Sequence, residues 1–91
     1  MNPHITFLIL NWNGSKLTSR CLSSIEKLRY DNFSTIVIDN FSTDDSIALI
    51  HRKFPKVEVL ALNKNYGFGP AYNFAFNYLD KSEAKFVLIL N

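Results

Sequence analysis

Short, nearly continuous apolar runs alternate along the chain with segments whose apolar residues recur at helical spacing. The runs cover residues 5–10, 35–39, 57–62 and 86–90. Each run is too short for a buried helix and rich in β-branched or large aliphatic residues, which is typical of strands covered on both faces of a parallel sheet. Glu58 interrupts the third run, which predicts an edge strand or a more exposed one.

Three segments with helical periodicity separate these runs. The apolar face of the first one consists of Leu17, Cys21, Leu22, Ile25 and Leu28. Ser15 is predicted as its N-cap. Ser42 and Asp45 resemble a capping box, with Asp in place of the usual Glu, so the second helix is expected to start there and to end before Pro55. The third is expected to have Pro70 as its first helical residue.

The resulting order of elements is β-α-β-α-β-α-β in one domain over residues 1–91. Alternation of this kind predicts an α/β fold with a parallel sheet and right-handed crossovers. The expected strand order is 3-2-1-4, half of a doubly wound nucleotide-binding sheet. Ligands of such sheets lie at the carboxyl ends of the strands, where the order reverses. The loop at 11–14, Asp39 and Asn91 are therefore expected to line one edge.

Composition and charge narrow the range of functions. The chain is 47% apolar and 20% charged, which is typical of a globular domain and not of a disordered segment. Its formal charge of +2 comes from scattered basic residues, which argues against a nucleic-acid surface. A single cysteine excludes an internal disulfide and predicts a reducing, cytoplasmic setting. The large aromatic content, with 8 Phe, 4 Tyr and 1 Trp, predicts a surface that needs a packing partner.

Two polar positions follow the first two strands. Asp39 could accept hydrogen bonds from a ribose hydroxyl or a base N–H, or it could bond loop amides and cap the next helix. The loop at Asn11, Trp12, Asn13 and Gly14 offers two amides and an indole that can read and stack on a nucleoside. Ordinary turn chemistry, with one aromatic ring at the edge of the core, explains the same residues equally well.

The remaining candidates are weaker. Gly67 and Gly69 open a helix after a strand, but Tyr72 stands where a dinucleotide fingerprint needs its third glycine. A glycine-hinged loop that presents Asn65 and a helix N-terminus to a ligand stays open. Asp44 and Asp45 are interpreted as first-turn carboxylates of a helix and not as a metal pair. His4 and His51 are expected at the surface, and Cys21 is expected to pack as a small apolar residue.

Four blocks carry a family resemblance. They read ILNWNG at 9–14, VIDNFSTD at 37–44, NYGFGPAYN at 65–73 and LILN at 88–91. In this order and spacing they resemble the start of a family 2 glycosyltransferase of the GT-A fold, closest to the rhamnosyltransferase-like members. The resemblance implies an inverting transfer of a sugar from a nucleotide-diphospho-sugar donor to an acceptor hydroxyl, assisted by Mg or Mn.

Site residues carried over by the resemblance fall into two groups. The nucleotide-binding residues it implies are Asn11, Trp12, Asn13, Asp39, Asn40, Asn65, Gly67 and Asn73. Asn91 would be the first position of a metal motif of the form Asn-x-Asp. Phe41 departs from the pattern, because Gly or Asn is usual there, and it is expected to crowd the loop after Asp39.

The chain stops at that first metal position, without the carboxylate of the general base. We therefore expect a truncated, donor-binding part of a glycosyltransferase that binds no metal and transfers no sugar alone. The alternative is a non-catalytic nucleotide-binding or self-associating α/β module. A homodimer or higher oligomer is expected from the unpaired sheet edges, and peripheral membrane association of a longer parent protein stays compatible with the resemblance.

Overall fold

The computed structural model describes residues 2–79 and 86–90, and these form a four-stranded sheet with three helices. The strands are β1 (Ile5–Asn11), β2 (Phe33–Asp39), β3 (Glu58–Ala61) and β4 (Phe86–Leu90). The helices are α1 (Ser15–Glu26), α2 (Ser46–Lys53) and α3 (Phe68–Tyr78). The predicted element order is thereby confirmed.

All strand pairs are parallel, and the order across the sheet is β3-β2-β1-β4. This order confirms the predicted 3-2-1-4 arrangement and the edge position of β3. The register pairs Ile5 with Phe33 at one end and Asn11 with Asp39 at the other. The carboxyl ends of β1 and β2 are therefore level, so the residues that follow them emerge side by side.

The central strands β1 and β2 are covered on both faces, as their apolar runs predicted, whereas the same prediction for β4 was wrong, because residues 86–89 are exposed there. On one face, α1 and α2 pack against β1 and β2 through Phe7, Ile9, Leu22, Ile25, Val37, Ile50 and Phe54. On the other face, α3 packs against the sheet through Leu8, Ile36, Ile38, Ala71, Tyr72 and Ala75. Alternate residues of one strand serve opposite cores, because successive side chains of a strand point to opposite faces.

Only part of the predicted apolar face of α1 is buried. The side chains turned toward the sheet are those of Thr18, Leu22 and Ile25, which share the i, i+4, i+7 spacing of a helix face. Leu17 is 72% exposed because it lies one residue away from that face. Cys21 is half-buried against the core, and burial raises the pKa of its thiol. This agrees with a packing role for Cys21.

All three predicted helix starts were wrong, by one to three residues. Gly14, and not Ser15, is the N-cap of α1. The helix α2 begins at Ser46, because the predicted cap Ser42 is held by the end of β2 instead. Similarly, α3 begins two residues before Pro70, at Phe68.

Both histidines were predicted to lie at the surface, and this is correct for one of them. His51 is exposed, as expected, but His4 is half-buried. Its Nδ1 and Nε2 atoms lie 2.8 Å from Asn32 Oδ1 and 3.0 Å from Ser34 Oγ, respectively. His4 therefore ties the segment before β1 to the start of β2. No helix in the described part of the chain is long and apolar enough to cross a membrane.

Candidate functional site at the carboxyl edge of the sheet

The last residues of β1 and β2, Asn11 and Asp39, are paired in register and each is only 1% exposed. The chain continues this pairing by one more bond, from the backbone N–H of Asn40 to the carbonyl of Asn11 at 2.8 Å. Burying a carboxylate and an amide at a strand end is unfavourable unless their polar atoms find partners. The hydrogen bonds around them are therefore the first feature of the site.

Four side chains form what we call the edge network: Asn11, Thr18, Asp39 and Ser42. Asn11 Nδ2 and Ser42 Oγ donate to Asp39 Oδ1 at 2.8 and 2.7 Å, and the Ser42 N–H donates to Asp39 Oδ2 at 2.9 Å. Thr18 Oγ1 donates to Asn11 Oδ1 at 2.6 Å, which joins α1 to the network. The carboxylate of Asp39 thus bonds the next loop, the structural alternative considered for this residue.

Asn13 links the loop after β1 to the loop after β2. Its backbone N–H donates to Ser42 Oγ at 2.9 Å, and its side-chain oxygen accepts from the N–H groups of Thr43 at 2.7 Å and Asp44 at 3.1 Å. Its φ of 49° lies in the left-handed region, which Asn adopts more readily than most residues. The turn chemistry considered for this loop is therefore present, and it fixes two loops to each other.

Asn40 performs the same task for the loop before α3. Its side chain is 2% exposed, donates to the carbonyl of Gly67 at 3.1 Å and accepts from the N–H of Tyr66 at 2.9 Å. Asn65 Oδ1 accepts from the N–H of Gly67 at 2.8 Å. Gly67 has φ 81° and ψ −171°, a conformation that is essentially restricted to glycine. Three loops are consequently anchored to one edge.

The predicted nucleotide-binding residues divide into two layers. Asn11, Asp39 and Asn40 are buried and bonded to the protein itself. The exposed members are Trp12, Asn13, Asn65, Gly67 and Asn73. Asn91, the predicted metal position, lies outside the described residues. The side chains that can meet a ligand are therefore those of the outer layer, and the buried layer holds them in place.

The two acidic residues Asp44 and Asp45 lie just before α2 and not in its first turn, where they were predicted. Asp44 Oδ1 accepts from the N–H of Ser46 at 3.0 Å and from its hydroxyl, and this hydroxyl bond is the main reason why the pKa of Asp44 is lowered. Asp45 is the N-cap residue. Among the described residues, no three His, Cys, Asp or Glu side chains come together as a metal-binding group.

Among residues 2–79 and 86–90, clefts lie at both ends of the sheet. A cleft of about 260 Å³ at the carboxyl end of β1 is lined by Asn11, Trp12, Leu17 and Thr18 among others. A larger one of about 410 Å³ lies at the opposite edge, between the ends of α1 and α2. None of the predicted site residues lines the larger cleft, so the carboxyl-edge cleft is the one that adjoins the predicted chemistry.

Sequence reasoning missed two members of the edge network, Ser42 and Thr18. Ser42 was interpreted as a helix cap, although its spacing of three residues from Asp39 also suits a turn in which a strand-end carboxylate binds the following loop. Thr18 sits on the apolar face of α1, and a polar residue at such a position signals a buried hydrogen bond. Phe41 has φ 67°, which lies in the left-handed region that Gly and Asn adopt more readily than Phe.

Comparison with known proteins gives one family. The sequence profile described as glycosyl transferase family 2 matches residues 6–91. The SPbeta prophage-derived glycosyltransferase SunS of Bacillus subtilis strain 168 is 40% identical over 58 residues, which is 63% of this chain and 13% of SunS. SunS of Bacillus phage SPbeta matches with the same identity and coverage. The chain thus spans about an eighth of the length of these curated relatives.

Solved structures share the fold. Residues 1–349 of TarS from S. aureus superimpose with a TM-score of 0.83 at 24% identity, over 96% of this chain and 26% of that TarS fragment. A complex of the same TarS fragment with UDP-GlcNAc gives 0.82. Mannosyltransferase PcManGT from Pyrobaculum calidifontis, in complex with GDP-Man and Mn²⁺, gives 0.75 at 21% identity, over 88% of this chain and 25% of PcManGT. Together with the sequence profile, the sheet order and motifs show that this chain belongs to glycosyl transferase family 2.

Proposed function

We propose that the carboxyl edge of the sheet binds the nucleoside diphosphate part of a nucleotide-diphospho-sugar donor. The observation that carries this proposal is the anchoring of three loops, at 11–14, 40–44 and 65–69, to one edge by buried side chains. A fixed edge with exposed amides and an indole offers preorganised recognition at low entropic cost. The structural neighbours TarS and PcManGT, bound to UDP-GlcNAc and GDP-Man respectively, support the same ligand class.

In this proposal Asp39 acts mainly as a positioning residue. A carboxylate offers about four acceptor sites. Three are taken by Asn11 and by the two donors of Ser42, and the residue is only 1% exposed, so Asp39 holds the loops that carry the ligand contacts. The exposed side chains of Asn13 and Asn65 then supply the remaining polar contacts, and the N-terminus of α3 faces the same edge.

We further propose that a protein containing this chain transfers the sugar to an acceptor hydroxyl with inversion, and that the 91-residue chain alone does not. Such a transfer needs a base for the acceptor and positive charge near the departing diphosphate. The described residues hold no carboxylate set that would fit a divalent metal. We therefore expect nucleotide binding by this chain to be independent of Mg²⁺ or Mn²⁺. A rhamnosyl donor, a cytoplasmic location and peripheral membrane attachment of a longer parent stay predictions.

The proposal is tested by calorimetric titration of the 91-residue chain with UDP, GDP and deoxythymidine diphosphate, each with Mn²⁺ and with EDTA. Binding of at least one nucleotide, equal in both conditions, is the expected result. Asn13→Gly keeps the left-handed backbone but removes the amide, so it should weaken binding. The matched control is Asn32→Gly, at the opposite edge of the sheet. Absence of binding by all three nucleotides would overturn the proposal.

Self-association is a second candidate function, because one strand exposes its apolar side chains. Phe86, Val87, Leu88 and Ile89 of β4 are all exposed, and β4 has one strand neighbour in the described sheet. An uncharged edge strand of this kind can pair with another strand. We propose that the occupant is a second copy of the chain, paired through β4.

A further inference from the structure

We propose that the larger cleft, at the amino end of the sheet, is a second ligand site of this chain and takes a small cationic molecule with an apolar ring. The ligand class that fits is a ring that carries a hydroxyl at one end and an ammonium group at the other. The cleft and the edge network lie at opposite ends of the sheet, so the inference goes beyond the proposed function and does not depend on it.

The lining of the cleft is mostly apolar and comes from the space between α1, α2 and the sheet. Its apolar residues are Leu22, Ile25, Phe33, Phe54, Pro55 and Val57. The ring of Phe33 makes an edge contact with the ring of Phe7, at a centroid distance of 5.6 Å. The volume of about 410 Å³ lies within the range of roughly 300–1,000 Å³ that is usual for small-molecule sites. Since Leu22, Ile25 and Phe54 belong to the hydrophobic core, the cleft keeps its shape without a ligand.

One buried polar side chain interrupts this apolar lining. Thr35 of β2 is 6% exposed and lines the cleft, and its hydroxyl has no hydrogen-bond partner among residues 2–79 and 86–90. In this part of the chain, the fully buried side-chain polar atom without a partner is Ser19 Oγ, so the hydroxyl of Thr35 is still reached by solvent, through the cleft. A polar ligand group can therefore replace water at Thr35 and form a hydrogen bond there.

Three charged side chains line the outer part of the cleft. Glu26, Asp31 and Lys56 are all exposed, and none of them forms an ion pair with another described residue. Asp31 Oδ1 accepts from Asn2 Nδ2 at 3.1 Å, which leaves the second oxygen of Asp31 for a ligand. Because the lining holds two carboxylates and one ammonium group, the cleft favours a cation over an anion.

These features fix the order of groups along the ligand. Its hydroxyl lies at the inner end near Thr35, its ring fills the apolar middle, and its ammonium group lies near the two carboxylates at the outer end. Tyramine has these three groups in this order and serves as the probe. For a molecule of this size we expect a dissociation constant of about 1 mM.

The experiment follows the backbone amide signals of the isotope-labelled 91-residue chain by NMR during titration with tyramine. Three analogues each change one end of the probe. Phenethylamine lacks the hydroxyl, para-ethylphenol lacks the ammonium group, and para-hydroxyphenylpropionate carries a carboxylate in place of the ammonium group. The four titrations separate the contribution of each end from that of the ring.

The expected result is a change in the amide signals of the residues that line the larger cleft, and none in the loops at 11–14 and 40–44. Tyramine should bind about fivefold more tightly than phenethylamine, because it adds a hydrogen bond between neutral groups. It should bind about threefold more tightly than para-ethylphenol, because pairs of exposed charges are weak. The carboxylate analogue should bind most weakly of the four.

Variants of the lining separate a role in binding from a role in stability. Thr35→Val keeps the shape but removes the hydroxyl, so it should bind tyramine and phenethylamine equally and should melt no lower than the parent chain. Glu26→Gln and Asp31→Asn should each weaken tyramine binding about twofold, and Lys56→Gln should strengthen it by a similar factor. Asp45→Asn removes an exposed charge at the other end of the sheet and should change nothing, which makes it the control for overall charge.

Several results would overturn the inference. One is the absence of signal changes in the cleft at about 10 mM tyramine, roughly ten times the expected dissociation constant. Another is equal affinity for tyramine and its carboxylate analogue, or equal weakening of tyramine and phenethylamine in Thr35→Val. If the cleft signals instead move with protein concentration in the absence of tyramine, the occupant is a second copy of the chain. Nucleotides take no part in these titrations, so a failure of the proposed function is measured separately.

Discussion

The edge network and strand β4 depart from the usual burial of side chains in opposite ways. In the edge network, an aspartate, an asparagine and a threonine are buried. In β4, four consecutive apolar residues from Phe86 to Ile89 are exposed. Buried polar groups and large exposed apolar groups are the two departures from ordinary burial that carry information.

The two departures have different physical consequences. The buried side-chain oxygen and nitrogen atoms of Asp39 and Asn11 all have hydrogen-bond partners at 2.6–3.1 Å. Their burial is therefore compensated, and the network is stable and rigid without a ligand. The apolar side chains of β4 form no hydrogen bonds and can be stabilised only by burial, which the described residues do not provide. The hydrogen bonds of the edge network are therefore complete within the chain, whereas the exposed surface of β4 can still be stabilised by a partner.

The largest expected effect comes from removing the acceptor at the centre of the network. Asp39→Ala removes the acceptor that Asn11 Nδ2 and both donors of Ser42 share at a buried strand end, and we expect a loss of about 3 kcal/mol in the free energy of unfolding. Leu88→Thr on β4 should lose less than about 1 kcal/mol, because the residue is largely exposed. Urea denaturation followed by circular dichroism measures both changes.

Asp31→Ala serves as the control for charge, since Asp31 is an exposed aspartate at the opposite end of the sheet. It should cost less than about 1 kcal/mol. Equal losses for Asp39→Ala and Asp31→Ala would mean that the edge network does not stabilise the fold. Asp39→Asn is informative beside them, because its amide has one acceptor oxygen in place of the two that accept from Asn11 Nδ2 and from the Ser42 N–H.

The fold was predictable because burial in a parallel sheet leaves a strong pattern. The run ITFLIL at 5–10 has no polar position on either face apart from one threonine, which only a doubly covered strand tolerates. The helix starts were not predictable to the residue. In the sequence, Ser42 suits a helix cap and a turn equally well. In the structure its hydroxyl donates to Asp39, so Ser42 belongs to the turn after β2.

The location of the candidate site was predictable, but which of its residues are buried and which are exposed was not. The ends of β1 and β2 had to meet, since parallel strands in register finish at one edge. No local signal distinguishes Asp39, which is buried, from the exposed Asn65, because burial at a strand end depends on the loops that fold over it. The left-handed backbone of Phe41 was equally hidden, since its sequence neighbours do not dictate φ.

A smaller effect is expected when a charge is placed on β4. Ile89→Lys should weaken self-association at least tenfold, because a lysine on an edge strand opposes pairing with a second strand. Sedimentation velocity over a range of concentrations measures the dissociation constant. Ala61→Lys adds the same charge at the other edge of the sheet, on β3, and should leave association unchanged. A monomeric parent chain at millimolar concentration would contradict the assignment of β4 as a self-association surface.

The smallest effect concerns Asp44, which lies beside the edge network but at the surface. The hydroxyl of Ser46 lowers the pKa of Asp44, so the ionised carboxylate is favoured in the folded state. Its stabilising contribution is therefore present above the ordinary carboxyl pKa of about 4 and is lost as the pH falls through the lowered value. Asp44→Ala should cost less than about 1 kcal/mol at pH 7 through loss of the hydrogen bond from the Ser46 N–H, because the carboxylate is exposed to solvent, and the difference from the parent should shrink as the pH falls through the lowered pKa of Asp44. Asp45→Ala is the control, because the side chain of Asp45 has the same charge but forms no capping hydrogen bond. If Asp45→Ala loses as much stability at pH 7 as Asp44→Ala does, the effect comes from charge alone.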